Sequence, residues 1–478
     1  AHGLTAALPH GTKVAVLSPN HPEAWICVLA SWRAGMVWVP LNPSMPAADT
    51  ADLAATFDCQ AIFYHSSLAP VVEQLRSRVP ELRLAVCLDR DDETAPGLHS
   101  WCGDLSSTPP DVVTSVEDIV AIPPTGGTTG APKGVLNSHR GLTTSTALLM
   151  MLMNYEANQP IVNLAAAPMT HTSGFLSLPT TARGGTVVVL DKADYTILAD
   201  VVEEHGVTEM FLPPTVIYRW LDHLRGQERD FSSLRYLIYG SAPMSVDRLR
   251  EAIDVFGPVM TSAYGQTEAP GTIALMRCAE LFDADGTLNE ARLSACGRPS
   301  PLLSVEIRDD EDRAVPRGTE GEVCVRGDSV MVGYYGQPER TAEVVIDGWL
   351  HTGDIGRLDE YNYLHITDRK KDMIISGGFN VFPSEVEQVL WRHPAVGDCA
   401  VVGAPHPDWG EQVIAVVELR AGAEATPEEL IGWCRELLGG VRTPKRIELV
   451  AELPRSHNGK VLRNRVREGF WLGADRRI

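Results

Sequence analysis

A chain of 478 residues, 44% of them hydrophobic, carries enough apolar content to bury a large core, which excludes a disordered polymer. Its 41 Lys+Arg against 62 Asp+Glu give a formal charge of −21, which excludes a surface that neutralises duplex phosphates by net positive charge. No nucleic-acid partner is expected, and any polyanionic ligand must meet a local basic or amide-rich site.

The nine cysteines are scattered without a C-x-x-C pair, so neither a zinc knuckle nor a disulfide framework is indicated. Buried, reduced thiols in a cytosolic enzyme are the expectation. No window approaches the ~18 to 20 consecutive apolar residues of a membrane span, and the start Ala1-His2-Gly3-Leu4 lacks the basic and apolar regions of a signal peptide. A cytoplasmic location without a membrane span follows as the expectation. Ala1 is not Met, which leaves room for an upstream segment.

In chain order, the apolar runs Val14–Leu17 and Ala61–Tyr64 alternate with helical-period stretches at Pro22–Gly35 and Ala69–Leu82, the pattern of βαβ units. The alternation recurs from Ile161 to Met260. Helices are predicted over Ile197–His205, Val216–Leu224 and Val246–Phe256, and strands over Glu209–Leu212 and Leu237–Tyr239. From about 295 to 368 the texture becomes short β runs (Ser304–Arg308, Gly321–Arg326, Tyr363–Thr367) between Gly, Pro and acidic turns, which predicts a β-rich subdomain. After the charged run Asp368–Asp372 comes a compact α+β pattern: helix Ser384–Trp391, strands Ala400–Val402 and Val413–Leu419, helix Pro427–Leu438. The predicted fold is α/β, with a large domain of layered sheets over 1–370 and a small α+β domain over 371–478. The charged run marks the boundary, although such a run is also compatible with a simple solvated face.

The segment richest in chemistry is Thr125-Gly126-Gly127-Thr128-Thr129-Gly130-Ala131-Pro132-Lys133-Gly134, between strand-like Asp118–Ile122 and Gly134–Asn137. Glycines allow close backbone approach, and their amides together with Thr hydroxyls can hold phosphate oxygens. Pro before Lys133 and Gly after it rule out a Walker A loop. Taken alone, the stretch reads equally as a flexible surface loop.

This segment resembles the T-[SG]-G-T-T-G-x-P-K-G signature of the adenylate-forming superfamily of acyl-CoA synthetases, luciferases and peptide-synthetase adenylation domains. Further motifs of that family follow in order over nearly the whole chain, from Pro19-Asn20-His21-Pro22 to Lys460. Gly126 stands where the family usually has Ser, so the resemblance assigns phosphate contacts to Thr125, Thr128 and Thr129, with Gly127, Gly130 and Lys133 completing the loop.

The resemblance extends to Tyr264-Gly265-Gln266-Thr267-Glu268, where it implies that Tyr264 stacks on adenine, Thr267 meets phosphate and Glu268 helps hold Mg²⁺, a hard cation that takes carboxylate and phosphate oxygens. In isolation Glu268 reads as a solvated acid or a helix N-terminal residue. Gly240-Ser241-Ala242-Pro243 resembles the segment beside adenine, and is also an ordinary strand-to-helix turn. Asp354 and Arg369 resemble the two elements that meet the ribose. Lys460, in Pro454–Arg463, matches the C-terminal lysine that bridges carboxylate and α-phosphate during adenylation, a role suited to a flexible cation. His171, in Pro168–Gly174, matches a residue beside the acyl pocket; a satisfied core histidine is the alternative. The small Ala242, Ala263, Gly265 and Gly271 are expected to leave room in that pocket.

The family's small, mobile C-terminal domain turns about a hinge at the position of Lys371, and Gly377, Gly378 and Phe379 would then border the pantetheine channel. The resemblance therefore implies a carboxylic acid:CoA ligase, forming an acyl-adenylate and then a thioester from a small-molecule acid, ATP, Mg²⁺ and coenzyme A. A carrier protein's phosphopantetheine is the alternative acceptor; no carrier domain is expected after Lys460, and a separate one stays open. A luciferase-like oxygenase and a non-catalytic nucleotide-binding relative are the other readings, the last disfavoured by the intact set Glu268, Asp354, Arg369 and Lys460. The identity of the acid, aromatic or medium-chain among others, and the oligomeric state, a homodimer included, are left open.

Overall fold

The computed structural model describes residues 1–92, 94–125, 133–420, 422–455 and 460–471. The first sheet contains the parallel strands β1 (Lys13–Leu17), β2 (Val37–Leu41), β3 (Cys59–Tyr64) and β4 (Leu84–Cys87), with β5 (Ile119–Ala121), β6 (Pro124–Thr125) and β7 (Lys133–Ser138). Its order is β7-β5-β2-β1-β3-β4, with β6 pairing β7. Every residue of β2 is buried, because helices cover both faces and leave no side for polar alternation. Val14, Val16 and Trp38 enter one apolar layer, and Ala15, Leu17, Val37 and Val39 the other.

The second sheet comprises β8 (Val162–Ala165), β9 (Thr186–Val189), β10 (Glu209–Phe211), β11 (Tyr236–Gly240), β12 (Met260–Gln266), β13 (Ala269–Met276) and β14 (Arg298–Pro299), in the order β14-β13-β12-β11-β10-β8-β9. Strands β9 to β12 run parallel to β8, while β13 and β14 are antiparallel additions. The predicted helices form as Leu198–His205, stopped by Gly206 in the left-handed conformation (φ 57°), Pro214–Leu224, opened by proline, and Val246–Phe256. The parallel strands place their carboxyl ends on one edge, where open α/β sheets bind ligands.

The β-rich region holds β15 (Ser304–Arg308), β16 (Gly321–Arg326), β17 (Gly333–Tyr334), β18 (Val345–Ile346), β19 (Trp349–Leu358) and β20 (Leu364–Arg369). Its short strands also reach the other sheets: β14 pairs with β13, and β17 pairs with β7 of the first sheet. The fourth sheet is built from β21 (Ile374–Ser376), β22 (Phe379–Val381), β23 (Val396–His406), β24 (Gly410–Leu419) and β25 (Arg446–Val450). Helix Pro427–Arg442 begins with a capping box of Thr426 and Glu429 and departs from helical geometry at Gly439, one residue beyond the predicted end.

The charged run is more than a solvated face. Asp368 is buried and accepts the Ser384 amide at 2.7 Å and Arg463 Nη1 at 2.9 Å, so it fastens the fourth sheet's domain to β20. Burial of the thiols holds for seven cysteines, but Cys102 is exposed at the end of a one-turn surface helix and Cys296 is half-buried. No helix among the described residues is long and apolar enough to cross a membrane.

Candidate active site

Gly240 ends β11, and a Cβ there would collide with the Ala263 carbonyl oxygen on β12, so only glycine lets the two strands approach so closely. Ser241 follows with φ 65°, a left-handed conformation unusual for a side-chain-bearing residue and typical of sites held by their surroundings. It turns the chain through half-buried Ala242 and exposed Pro243 into helix Val246–Phe256.

One strand over, Tyr264 donates its hydroxyl to Asp354 Oδ2 at 2.7 Å. Gln266 Nε2 donates to the same oxygen at 2.6 Å and to the Thr352 carbonyl at 2.9 Å. Arg369 Nε lies 3.3 Å from Asp354 Oδ1, because β19 and β20 pair these two residues directly. Asp354 thus ties the β-rich sheet to the carboxyl end of β12. Burial first, then the Asp354 carboxylate, raise the Tyr264 phenol well above its ordinary range. Gln266 had no role in the sequence reading, although it occupies the variable place of its motif.

Glu268 sits in the turn between β12 and β13. Its Oε1 accepts the Tyr334 hydroxyl at 2.9 Å, and its carbonyl accepts the Met331 amide at 2.8 Å. Lys133 Nζ stands 4.7 Å from the Tyr334 ring centroid, so the stem of the Gly/Thr-rich loop and the acidic turn share one aromatic neighbour. Tyr334 comes from β17, distant in sequence from both, and carried no sequence signal. Thr125 and Lys133 pair across β6 and β7. Gly127, Thr128, Thr129 and Gly130 lie outside the described residues. Thr267 is half-buried in the same turn as Glu268. Glu268 Oε1 accepts from Tyr334, and a carboxylate at this turn suits Mg²⁺, since that ion binds through one or two carboxylates plus phosphates and waters.

The glycines expected to widen the acyl pocket do something else on their Cβ side. A Cβ at Gly265 would sit 2.6 Å from the Gly271 carbonyl oxygen, and one at Gly271 (φ 92°) would sit 2.8 Å from Ser145 Cβ on helix His139–Leu152. On that side their small size serves close packing of hairpin and helix. Ala263 instead packs on an apolar cluster of Leu149, Met153, Leu176, Phe211, Ile238 and Leu275.

His171 is half-buried and immediately precedes helix Thr172–Ala182, in the segment leaving the carboxyl end of β8. Lys460 is reached by solvent, yet the charges of Arg369, Arg463, Asp354 and Asp372 all act on it. Desolvation in the cleft, then the two arginines, lower its ammonium to about 8. Lys371 is lowered as well, by desolvation first and then by Arg369, with Asp354 and Lys133 also within its field. Tyr264, Asp354 and Arg369 are thus in direct contact, and the charges of Asp354 and Arg369 reach both Lys371 and Lys460. Gly377 and Gly378 take positive φ at the tip of the β21–β22 hairpin and present Phe379, 60% exposed, beside Trp409, whose carbonyl accepts the Gly377 amide at 2.9 Å.

Residues 1–335 match the AMP-binding enzyme family, and residues 385–460 match the AMP-binding enzyme C-terminal domain. The chain is 36% identical to the medium/long-chain-fatty-acid–CoA ligase FadD8 of Mycobacterium tuberculosis over 99% of its own length and 84% of the relative's. It is also 36% identical to a feruloyl-CoA synthase of an Amycolatopsis species, over 98% and 91%. The solved amide bond synthetase McbA of Marinactinospora thermotolerans superposes with a TM-score of 0.87 at 34% identity, covering 98% of this chain and 92% of that one. The chain belongs to the AMP-binding enzymes, the adenylate-forming superfamily, and within it to the acyl-CoA ligase branch of AMP-forming acid–thiol ligases.

Proposed function

We propose that the protein activates a hydrophobic monocarboxylic acid, fatty or aromatic, with ATP, and passes the acyl group to coenzyme A. The observation that carries this reading is the Asp354 cluster: one buried carboxylate bound to Tyr264 and Arg369, in a cleft where the charge of Lys460 is felt. Such a set offers a ring to stack on a base, a carboxylate and guanidinium for ribose hydroxyls, and a movable cation for phosphate.

In the first step a substrate carboxylate oxygen attacks the α-phosphorus of ATP, a C–O–P bond forms, and the bond to the β-phosphate breaks to release pyrophosphate. Lys460 stabilises the charge that builds on the phosphoryl oxygens, and Thr125, Thr128, Thr129 and Lys133 orient the leaving phosphates. Glu268 is the residue that would hold Mg²⁺, which supplies charge neutralisation on those phosphates. In the second step the thiol attacks the acyl carbon, loses its proton, and AMP leaves. Lys371 serves as the hinge that withdraws Lys460 and brings the Gly377–Phe379 hairpin to the site, so that residues 1–370 and 371–478 act as body and lid. Likeness to relatives named for medium- and long-chain fatty acids and for ferulate supports a fatty chain or an aryl ring as the acyl group.

The test is pyrophosphate release from ATP and Mg²⁺ with a panel of fatty and hydroxycinnamic acids, each with coenzyme A, a phosphopantetheinylated carrier or an amine as acceptor. Thioester formed only with coenzyme A supports the proposal. Amide formation, as the McbA likeness raises, or acylation of the carrier alone would reassign the second step, and no release with any acid would overturn the first.

A further inference from the structure

The motif Pro19-Asn20-His21-Pro22 has no part in the chemistry above, yet its asparagine reaches across the molecule. Asn20 leaves the carboxyl end of β1, in the first sheet, and its side chain meets the segment that leaves the carboxyl end of β8, in the second. Asn20 Nδ2 donates to the Ala167 carbonyl at 2.9 Å, with the Ala166 carbonyl at 3.4 Å, and Asn20 Oδ1 accepts the Met169 amide at 2.8 Å. A side-chain amide here pairs with main chain on both its donor and its acceptor side, as a neighbouring strand would. His171 lies two residues beyond Met169.

Behind this segment a cavity the size of a single water is lined by Ser18, Trp25, Trp38, Met169 and Thr170 among others. The Ser18 and Thr170 hydroxyls and the Trp25 and Trp38 indole N–H groups face it with no hydrogen-bond partner among the described residues. Within the segment, the His171 amide donates to the Pro168 carbonyl and the Gly174 amide to the His171 carbonyl, bonds that shape the turn. Gly174 lets the turn close, since a Cβ there would strike the Met169 carbonyl oxygen.

We propose that Asn20 is a positioning residue that sets where His171 stands, and through it how well the carboxylic acid is received, by clamping Ala167 and Met169. The inference rests on the acid-activation reading for its consequence, but not for the clamp itself. Removing the amide breaks the bonds that tie Ala167 and Met169 to the first sheet, while the nucleotide groups on β12, β19 and β20 remain as they are.

The experiment compares wild type with Asn20→Ala and the isosteric Asn20→Asp, which keeps an acceptor for the Met169 amide and loses the donor to the carbonyls. Hydrogen exchange followed by mass spectrometry on the free full-length chain should show the peptide across 166–174 exchanging at least about tenfold faster in Asn20→Ala, with intermediate protection in Asn20→Asp. Steady-state pyrophosphate release with dodecanoate and with ferulate should show the acid KM rising at least about fivefold while the KM for ATP stays within about twofold. Unchanged exchange overturns the clamp. Faster exchange with acid and ATP KM values moving together, or with kcat alone falling, reduces Asn20 to a general structural role and overturns the positioning claim. If wild type releases no pyrophosphate with any acid, the ligase reading and the acid-positioning claim fall together, whereas the exchange result still decides the clamp.

Discussion

The Tyr264 hydroxyl donates to Asp354 at 2.7 Å, joining the end of a parallel strand in one sheet to the middle of an antiparallel strand in another. Asp354 also receives Gln266 and faces Arg369, so its removal leaves two donors and a cation without their shared acceptor. Asp354→Ala should lower kcat/KM for ATP by roughly 10- to 150-fold, the worth of one or two hydrogen bonds to a charged group. Tyr264→Phe keeps the ring and loses only the bond, and should cost about 1.5 kcal/mol, the low end for a hydrogen bond to a charged group, in the same measurement. Equal losses in the two variants would mean that Asp354 acts on ATP only through its bond to Tyr264.

Lys460 titrates near 8, so the sign of its pH dependence is fixed. The ammonium that offsets phosphoryl charge is present below that value and lost above it. The kcat/KM of pyrophosphate release with respect to ATP should therefore fall on the alkaline side, with an inflection near 8 for the free enzyme. Lys460→Ala should slow adenylate formation by roughly 100- to 1,000-fold and largely spare thioester formation from preformed acyl-adenylate. Lys460→Arg should remove the alkaline limb, because a guanidinium does not titrate in that range.

Arg463 is wedged between Asp368 and Glu387, both buried, with Nη1 at 2.9 Å from Asp368 Oδ1 and Nε at 3.0 Å from Glu387 Oε1. Glu387 also accepts the Val401 amide at 2.9 Å, fixing helix Pro383–Trp391 to β23. Arg463→Ala strands two buried carboxylates and should destabilise the chain by about 3 to 5 kcal/mol, read as a lowered denaturation midpoint. Asp368→Asn weakens only the contact across the charged run. It should accelerate proteolysis near residues 370–383 while changing the midpoint less than Arg463→Ala does.

Gly271 combines a φ of 92° with a Cβ position 2.8 Å from Ser145 Cβ. Gly271→Ala should cost about 1 to 3 kcal/mol in urea unfolding, from backbone strain together with crowding against the helix. Adding Ser145→Gly should recover the crowding part and leave the strain. Full recovery would locate the whole cost in the side-chain contact.

The order of helices and strands along the chain was legible in the sequence because it is written in local periodicity. Runs such as Val14–Leu17 and Val246–Phe256 show where one or both faces are buried, and Gly206 and the Thr426–Glu429 box mark ends through their own backbone chemistry. The resemblance to family motifs also named Tyr264, Glu268, Asp354, Arg369 and Lys460, which local pattern alone left as ordinary turn or surface residues. What tertiary structure alone decided is which of these groups touch. Tyr334 reaches Glu268, Gln266 reaches Asp354 and Asn20 reaches Ala167 and Met169 through sheet pairings and crossings between segments far apart in sequence, which no local pattern encodes. The same holds for the small residues: composition marks Gly265 and Gly271 as small, but only packing determines whether the space beside a glycine is open or, as here, filled by a neighbouring strand and helix.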